Sequence, residues 1–189
     1  LHQAGITNVV ASSGTSLTVD QVKLIKRFTE NVVIIYDGDS AGIKAALRGL
    51  DLVIEEGLNV KLVLLPDGDD PDSMIRKVGT AQMEKFIEEN QKDFIFFKAE
   101  ILMGEAKNDP IKKAGIIKDI VHSISLIPDQ IKTALYIQEC SRLMEIQEEV
   151  LIREFNKLRR TWVNNKTNEK SSEGAELLPE NTAILESPP

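Results

Sequence analysis

Three short runs of apolar residues, rich in Val, Ile and Leu, mark the first third of the chain. They cover residues 6–12, 31–37 and 60–65. Polar and apolar positions alternate with helical spacing between the runs, and Thr18 and Gln21 have the spacing of a capping box that opens the first of these helices. Strands that alternate with helices predict βαβ units around a parallel sheet, in which each strand is buried on both faces.

The pattern becomes helical throughout from about residue 72. It predicts helices over residues 72–78, 80–89, 91–103, 111–126, 129–145 and 147–163. Short connections that contain Gly or Pro favour a compact all-α subdomain. Asn, Glu, Ser and Pro dominate the remainder, which is typical of disorder. The predicted organisation is therefore an α/β unit at residues 1–79, a helical subdomain at 80–163 and a disordered linker or tail at 164–189.

Composition narrows the classes of function. The formal net charge of -7 argues against a surface that coats nucleic acid by charge alone. The single cysteine, Cys140, excludes an internal disulfide and a cysteine-rich zinc module. The apolar runs are too short to span a bilayer, and the chain has no recognisable signal peptide. We expect a monomeric, cytoplasmic protein without membrane contact.

Acidic residues follow two of the predicted strands. Asp37 and Asp39 come directly after the second strand, and the segment 66–72, which contains four aspartates, follows the third. Parallel strands end at the same edge of a sheet, so these two loops should converge there. Adjacent carboxylates repel each other unless a cation lies between them, and their oxygens suit Mg²⁺ or Mn²⁺. The sequence thus predicts a divalent-metal site that serves phosphate chemistry.

Two other features near this edge allow either a functional or a structural interpretation. Lys44 lies one turn into the helix that follows the DxD loop, where it faces either a triphosphate or solvent. Gly14 lies in a turn that either offers backbone N–H groups to a phosphate or is a plain turn.

The motifs around the acidic residues resemble a known family. The segment Asp37-Gly38-Asp39-Ser40-Ala41-Gly42 is similar to the DxD segment of TOPRIM domains, and more narrowly to that of bacterial DNA primases of the DnaG type. The likeness also includes motifs within residues 4–18, 64–72 and 127–137, and it covers about residues 1–160. It implies a TOPRIM-like parallel sheet with flanking helices, followed by the helical subdomain.

The resemblance also implies a function and assigns residues to it. Asp37 and Asp39 match the catalytic DxD carboxylates, and Asp70 and Asp72 match a second acidic pair that helps to hold Mg²⁺ or Mn²⁺. Primases of this type are nucleotidyltransferases that join ribonucleoside triphosphates into short RNA primers on a single-stranded DNA template during replication. They contact the replicative helicase through a domain that this chain lacks.

Several family features are missing from the residues at hand. The family's catalytic glutamate lies on a strand that would precede Leu1, and neither the zinc module nor the basic template-binding subdomain is present. We therefore expect a fragment of a longer primase that is inactive as an isolated polypeptide.

Other functions remain open at this stage. A strand that ends in Asp-x-Asp also opens haloacid-dehalogenase-like phosphatases, with Asp37 as nucleophile and Asp39 as acid, although Ser40 to Gly42 fit that motif poorly. A topoisomerase would need a tyrosine nucleophile, and the only tyrosines are Tyr36 and Tyr136. Two further TOPRIM alternatives are a nuclease and a recombination-mediator domain that only recruits partners.

Overall fold

The computed structural model describes residues 1–12, 17–37, 40–66, 68–106 and 109–175. Its helices and strands, in chain order, are α1 Val19–Lys26, β1 Asn31–Tyr36, α2 Ser40–Glu55, β2 Asn59–Leu64, α3 Pro71–Val78, α4 Thr80–Asn90, β3 Lys92–Asp93, α5 Phe94–Ala106, α6 Pro110–Leu126, α7 Gln130–Met144 and α8 Glu148–Ala175. The expected α/β architecture with a helical region after it is confirmed.

The sheet formed by the described residues has the order β1-β2-β3. Strands β1 and β2 pair in parallel, from Asn31 opposite Asn59 to Tyr36 opposite Leu64, which confirms the predicted parallel pairing. Strand β3 pairs antiparallel with β2 and was predicted as the start of a helix. Its two residues are too few to produce a strand period in the sequence.

Residues 6–12 do not form the strand that their apolar composition predicted. They lack regular secondary structure and follow a 3₁₀ turn at His2–Ala4, which Gly5 closes with a φ of 101°. Val10 is 77% exposed, so this run is not buried on two faces as a central strand would be. The segment is tethered by another contact, because the Thr80 hydroxyl donates to the carbonyl of Ala4 at 2.7 Å.

Side chains of β2 alternate between two hydrophobic clusters. Val60 and Leu62 belong to the larger cluster, with residues of α2, α5, α6 and α7, while Val63 belongs to a smaller cluster with residues of α3 and α4. Helices therefore cover β2 on both sides. Strand β1 is less buried than predicted, since it lies at the edge of the described sheet and Val33 is 41% exposed.

Most helices begin and end close to their predicted positions. The capping box of α1 is present, with Thr18 and Gln21 bonded reciprocally. Helix α8 extends to Ala175, twelve residues past the predicted end at 163. The prediction stopped where the apolar period stopped, because that period marks only the part of a helix that packs against other elements. Residues 176–189 of the predicted tail lie outside the described residues.

A buried polar cluster connects α2 to the helical region. Lys98 of α5 is buried, and its ammonium group donates to the hydroxyl of Ser123 on α6 and lies 3.4 Å from Oδ1 of Asp51 on α2. The Ser123 hydroxyl donates to the same Asp51 oxygen at 2.6 Å. Three helices are thus joined through one charge pair that is largely withdrawn from water.

We expect Asp51→Asn to lower the free energy of unfolding by about 3 kcal/mol, because the buried Lys98 ammonium would lose its counter-charge. Glu89→Gln removes one carboxylate from the exposed Lys85–Glu89 pair at 3.7 Å and serves as the matched control. Its effect should stay below about 0.5 kcal/mol. Urea unfolding of both variants tests this. Equal effects would contradict the assignment of Lys98 and Asp51 as the stabilising link.

Candidate functional site

The carboxyl ends of β1 and β2 lie side by side at one edge of the sheet. The parallel register continues one residue past the strands, since the N–H of Leu65 donates to the carbonyl of Tyr36 at 3.0 Å. Asp37 follows immediately after β1 and is exposed. The segment that leads from β2 to α3 therefore starts beside Asp37. Both acidic segments leave the sheet at the same edge, as the parallel topology predicts.

Gly42 permits a very close approach of α2 to the end of β1. A Cβ atom built on Gly42 would lie 2.4 Å from the carbonyl oxygen of Asp37 and 3.1 Å from its carbonyl carbon. Both are backbone atoms, which cannot move away as a flexible side chain could. The position of Asp37 therefore depends on the absence of a side chain at residue 42.

Asp70 is the N-cap of α3, with Pro71 at the first helical position. Its Oδ1 atom accepts hydrogen bonds from the N–H groups of Asp72 and Ser73, both at 2.8 Å. Both capping bonds use a single oxygen, and among the described residues no hydrogen bond engages Oδ2. The structural role of Asp70 thus leaves one carboxylate oxygen for a further ligand.

The two neighbouring aspartates have different partners. Asp72 is exposed and pairs with Arg76 one turn later on α3, at 2.8 Å. The Asp69 side chain is only 14% exposed and accepts hydrogen bonds from Lys77 and, at 3.0 Å, from the hydroxyl of Ser73. The hydrogen bond from Lys77 is the main cause of a lowered pKa for Asp69. Asp69 therefore holds the loop onto the helix, whereas Asp72 points its charge toward solvent.

The described residues contain only part of the predicted site. Asp37, Asp70 and Asp72 are described and belong to the two segments at this edge. Asp39 and Gly14 lie outside the described residues, and of Lys44 only the backbone, within α2, is described. No group of three or more His, Cys, Asp or Glu side chains within the described residues is arranged to hold a metal ion.

The donors at this edge suit a hard divalent cation. Asp70 offers a carboxylate oxygen that capping does not use, and the exposed ion pair of Asp72 is weak enough to exchange for a cation. Carboxylate oxygens are ligands that Mg²⁺ and Mn²⁺ prefer, and a cation bound to them can attract the oxygens of a phosphate. Carboxylate oxygens are hard donors, which favour Mg²⁺ or Mn²⁺ over the softer metals that thiolates bind.

The pattern of residues did not reveal the contribution of Lys77. Its bond to Asp69 joins residues eight positions apart, and it exists only because α3 begins at Pro71. The sequence does contain a signal for this contact, because Asp69, Ser73 and Lys77 are each four residues apart. That spacing indicates a contact only if the start of the helix is known.

Comparisons with known proteins give a consistent result. Residues 1–75 match a family model described as Toprim-like. The DNA primase of Clostridium acetobutylicum is 39% identical over 152 residues, which are 80% of this chain and 25% of that protein. The chain thus spans about a quarter of the length of this curated relative. None of the described helices is long and apolar enough to cross a membrane.

Solved structures agree with the sequence matches. A DNA primase domain from Pseudomonas aeruginosa superposes with a TM-score of 0.71 at 28% identity, covering 84% of this chain and 49% of that one. A DnaG primase catalytic domain bound to ssDNA superposes with a TM-score of 0.65 at 33% identity, covering 74% of this chain and 46% of that one. The resemblance to DnaG-type primases, first indicated by the motifs, is confirmed.

We expect Gly42→Ala to lower the free energy of unfolding by about 1–3 kcal/mol, because the new methyl group would overlap the carbonyl of Asp37. Gly115→Ala is the matched control, since a Cβ atom there meets nothing within 4 Å on the exposed side of α6. This control should gain up to about 1 kcal/mol from helix propensity. Thermal or urea unfolding measures both changes. A stabilised Gly42→Ala protein would show that the close approach is not required.

Proposed function

Because this chain carries a Toprim-like domain and is similar to bacterial DNA primases in sequence and fold, we propose that it is part of the RNA-polymerising core of such a primase. In this proposal it contributes to metal-dependent nucleotidyl transfer, in which ribonucleoside triphosphates are joined into short RNA primers on a single-stranded DNA template. The replicative helicase would be contacted through parts of the relatives that this chain does not span.

The observation that carries the proposal is the arrangement of the strand ends. The parallel register of β1 and β2 brings the segment after Tyr36 and the segment after Leu64 to one edge. These are the segments whose sequences match the two acidic motifs of the family. A simple helix N-terminus explains Asp70 alone, but it does not explain why a second acidic segment leaves the sheet beside it.

In the proposed mechanism the carboxylates of Asp37, Asp39, Asp70 and Asp72 would hold Mg²⁺ or Mn²⁺, which would supply positive charge for the oxygens of the triphosphate and for the primer 3′-hydroxyl as it becomes a nucleophile. The chain's own residues position this charge. Asp70 does so from the rigid start of α3, and Asp37 from a strand end held against Gly42. Positioning and electrostatics supply most of the catalysis in phosphoryl transfers.

The remaining assignments follow from the same proposal. Lys44 and Gly14 would contact the triphosphate. The single-stranded template finds support in the similarity to a primase catalytic domain solved with ssDNA. The acidic composition of this chain means that it would attract a nucleic-acid template only weakly by its overall charge. The phosphatase and the other TOPRIM functions are not favoured, because the relatives and structures described above are primases.

We expect Asp37→Asn and Asp70→Asn each to weaken Mn²⁺ binding by about tenfold or more, since each removes a charged ligand. Asp129→Asn is the matched control, because Asp129 caps α7 through bonds from Ile131 and Lys132 at 2.8 and 3.0 Å, much as Asp70 caps α3. Asparagine caps helices about as well as aspartate, so folding is preserved in Asp70→Asn and Asp129→Asn. Paramagnetic broadening of NMR signals by Mn²⁺ gives both the affinity and the location.

Broadening that centres on the residues around Asp37 and Asp70, and that only the first two variants lose, would support the metal site. Equal behaviour of Asp70→Asn and Asp129→Asn would mean that Asp70 is only a helix cap, and it would overturn the assignment.

We expect a protein extended to the full length of the relatives to make dinucleotides and short primers from a single-stranded template and ribonucleoside triphosphates. Asp37→Asn in that protein should reduce synthesis at least a hundredfold, which is about 2.7 kcal/mol of transition-state stabilisation. Primer synthesis that is unchanged by this substitution would contradict the role of Asp37.

A further inference from the structure

Among the described aspartates of the segment 66–72, Asp69 is turned inward, whereas Asp70 and Asp72 are exposed. The side chain of Asp69 is 14% exposed, whereas that of Asp72 is 68% exposed. A carboxylate withdrawn from water in this way needs partners, and Asp69 has two, Lys77 and Ser73 of α3.

These contacts continue to the helix cap. The Ser73 hydroxyl lies 3.0 Å from Oδ1 of Asp69 and 3.0 Å from the carbonyl oxygen of Asp70, either of which can accept its hydrogen, and it accepts a hydrogen bond at 2.9 Å from the N–H of Asp70. The Ser73 N–H donates to Oδ1 of Asp70 at 2.8 Å. Ser73 therefore joins the half-buried carboxylate of Asp69 to the exposed carboxylate of Asp70. Lys77, Asp69, Ser73 and Asp70 form one connected network at the start of α3.

We propose that Asp69 and Lys77 are positioning residues for the divalent cation at this edge. Lys77 and Ser73 hold Asp69 against the start of α3, and the N–H of Ser73 keeps Oδ1 of Asp70 on the helix end, so Oδ2 would be the oxygen available to the cation. The proposal rests on the proposed function, in which Asp70 is a metal ligand. In this proposal Lys77 and Asp69 do not touch the cation and do not belong to the matched acidic pair, but they hold Asp70 in place.

Electrostatics alone predicts the opposite effect for Lys77. Removing a positive charge from an acidic edge raises its affinity for a cation. If Lys77 positions the ligand, its removal lowers the affinity, because Asp70 loses its fixed orientation. The sign of the change therefore separates the two interpretations.

The test compares Lys77→Met with Lys85→Met. Lys85 belongs to an exposed i,i+4 pair with Glu89 on the neighbouring helix α4, so both substitutions remove one lysine charge. We expect Lys77→Met to weaken Mn²⁺ binding about tenfold, the lower end of the range for residues that support metal ligands. Lys85→Met should leave it unchanged or slightly tighter. Lys77→Arg, which keeps a donor for Asp69, should restore most of the affinity.

A second measurement does not depend on the metal. Amide hydrogen exchange of Ser73, whose N–H is bonded to Asp70, should accelerate several-fold in Lys77→Met and remain unchanged in Lys85→Met. Faster exchange together with weaker Mn²⁺ binding supports the proposal. Unchanged exchange overturns it, as does faster exchange with unchanged or tighter Mn²⁺ binding, because the network would then be structural only.

Failure of the proposed function has a different signature. If Mn²⁺ binding to the unmodified chain is insensitive to Asp70→Asn, the metal site itself is wrong, and the positioning proposal is overturned with it. If Asp70→Asn weakens binding and Lys77→Met does not, the metal site stands and only the positioning role is overturned.

Discussion

The in-register parallel pairing of β1 and β2 is the constraint on which the acidic edge depends. Because side chains alternate along a strand, a slip of one residue would exchange the two faces of β2 and place Val63 in the cluster that now holds Leu62. Both faces are covered by helices, so each hydrophobic cluster resists the slip. Packing in the interior thus fixes the relative heights of Tyr36 and Leu64, and with them the points at which the two acidic segments start.

The helices that pack against the sheet fix the positions of the loops through close backbone contacts. Helix α2 comes so near to the end of β1 that Gly42 has no room for a side chain, and farther along it Gly49 lies under the hydroxyl of Tyr36. The other half of α2 carries Asp51, which is tied to Lys98 and Ser123 of the helical region. The helix that follows Asp37 is therefore held at its start by the sheet and in its second half by the helical region.

The features that could be predicted from sequence are those decided by residues close together in the chain. The capping pair of Thr18 and Gln21 and the Asp70-Pro71 helix start act within one helical turn, so their spacing identifies them. The β-branched composition of β1 identified it as a strand. Its partial exposure could not be predicted, because exposure depends on which strands lie beside it. Residues 6–12 have a similar composition but pair with no strand in the part of the chain that the structure describes, and β3 forms only because β2 is there to pair with it.

The acidic loop shows why composition alone could not assign its carboxylates. Asp69, Asp70 and Asp72 lie within four residues, yet the start of α3 gives each a different environment. Asp69 is neutralised by Lys77, so its charge is used for structure. Asp72 is in an exposed pair that contributes at most about 1 kcal/mol, and a divalent cation can therefore displace Arg76 at little expense. Asp70 caps α3 through one oxygen, so its other oxygen is not used by the cap. The helix that begins at Pro71 thus gives the aspartates of one run different environments, with Asp69 half-buried against α3 and with Asp70 and Asp72 exposed at the edge where the parallel strands end.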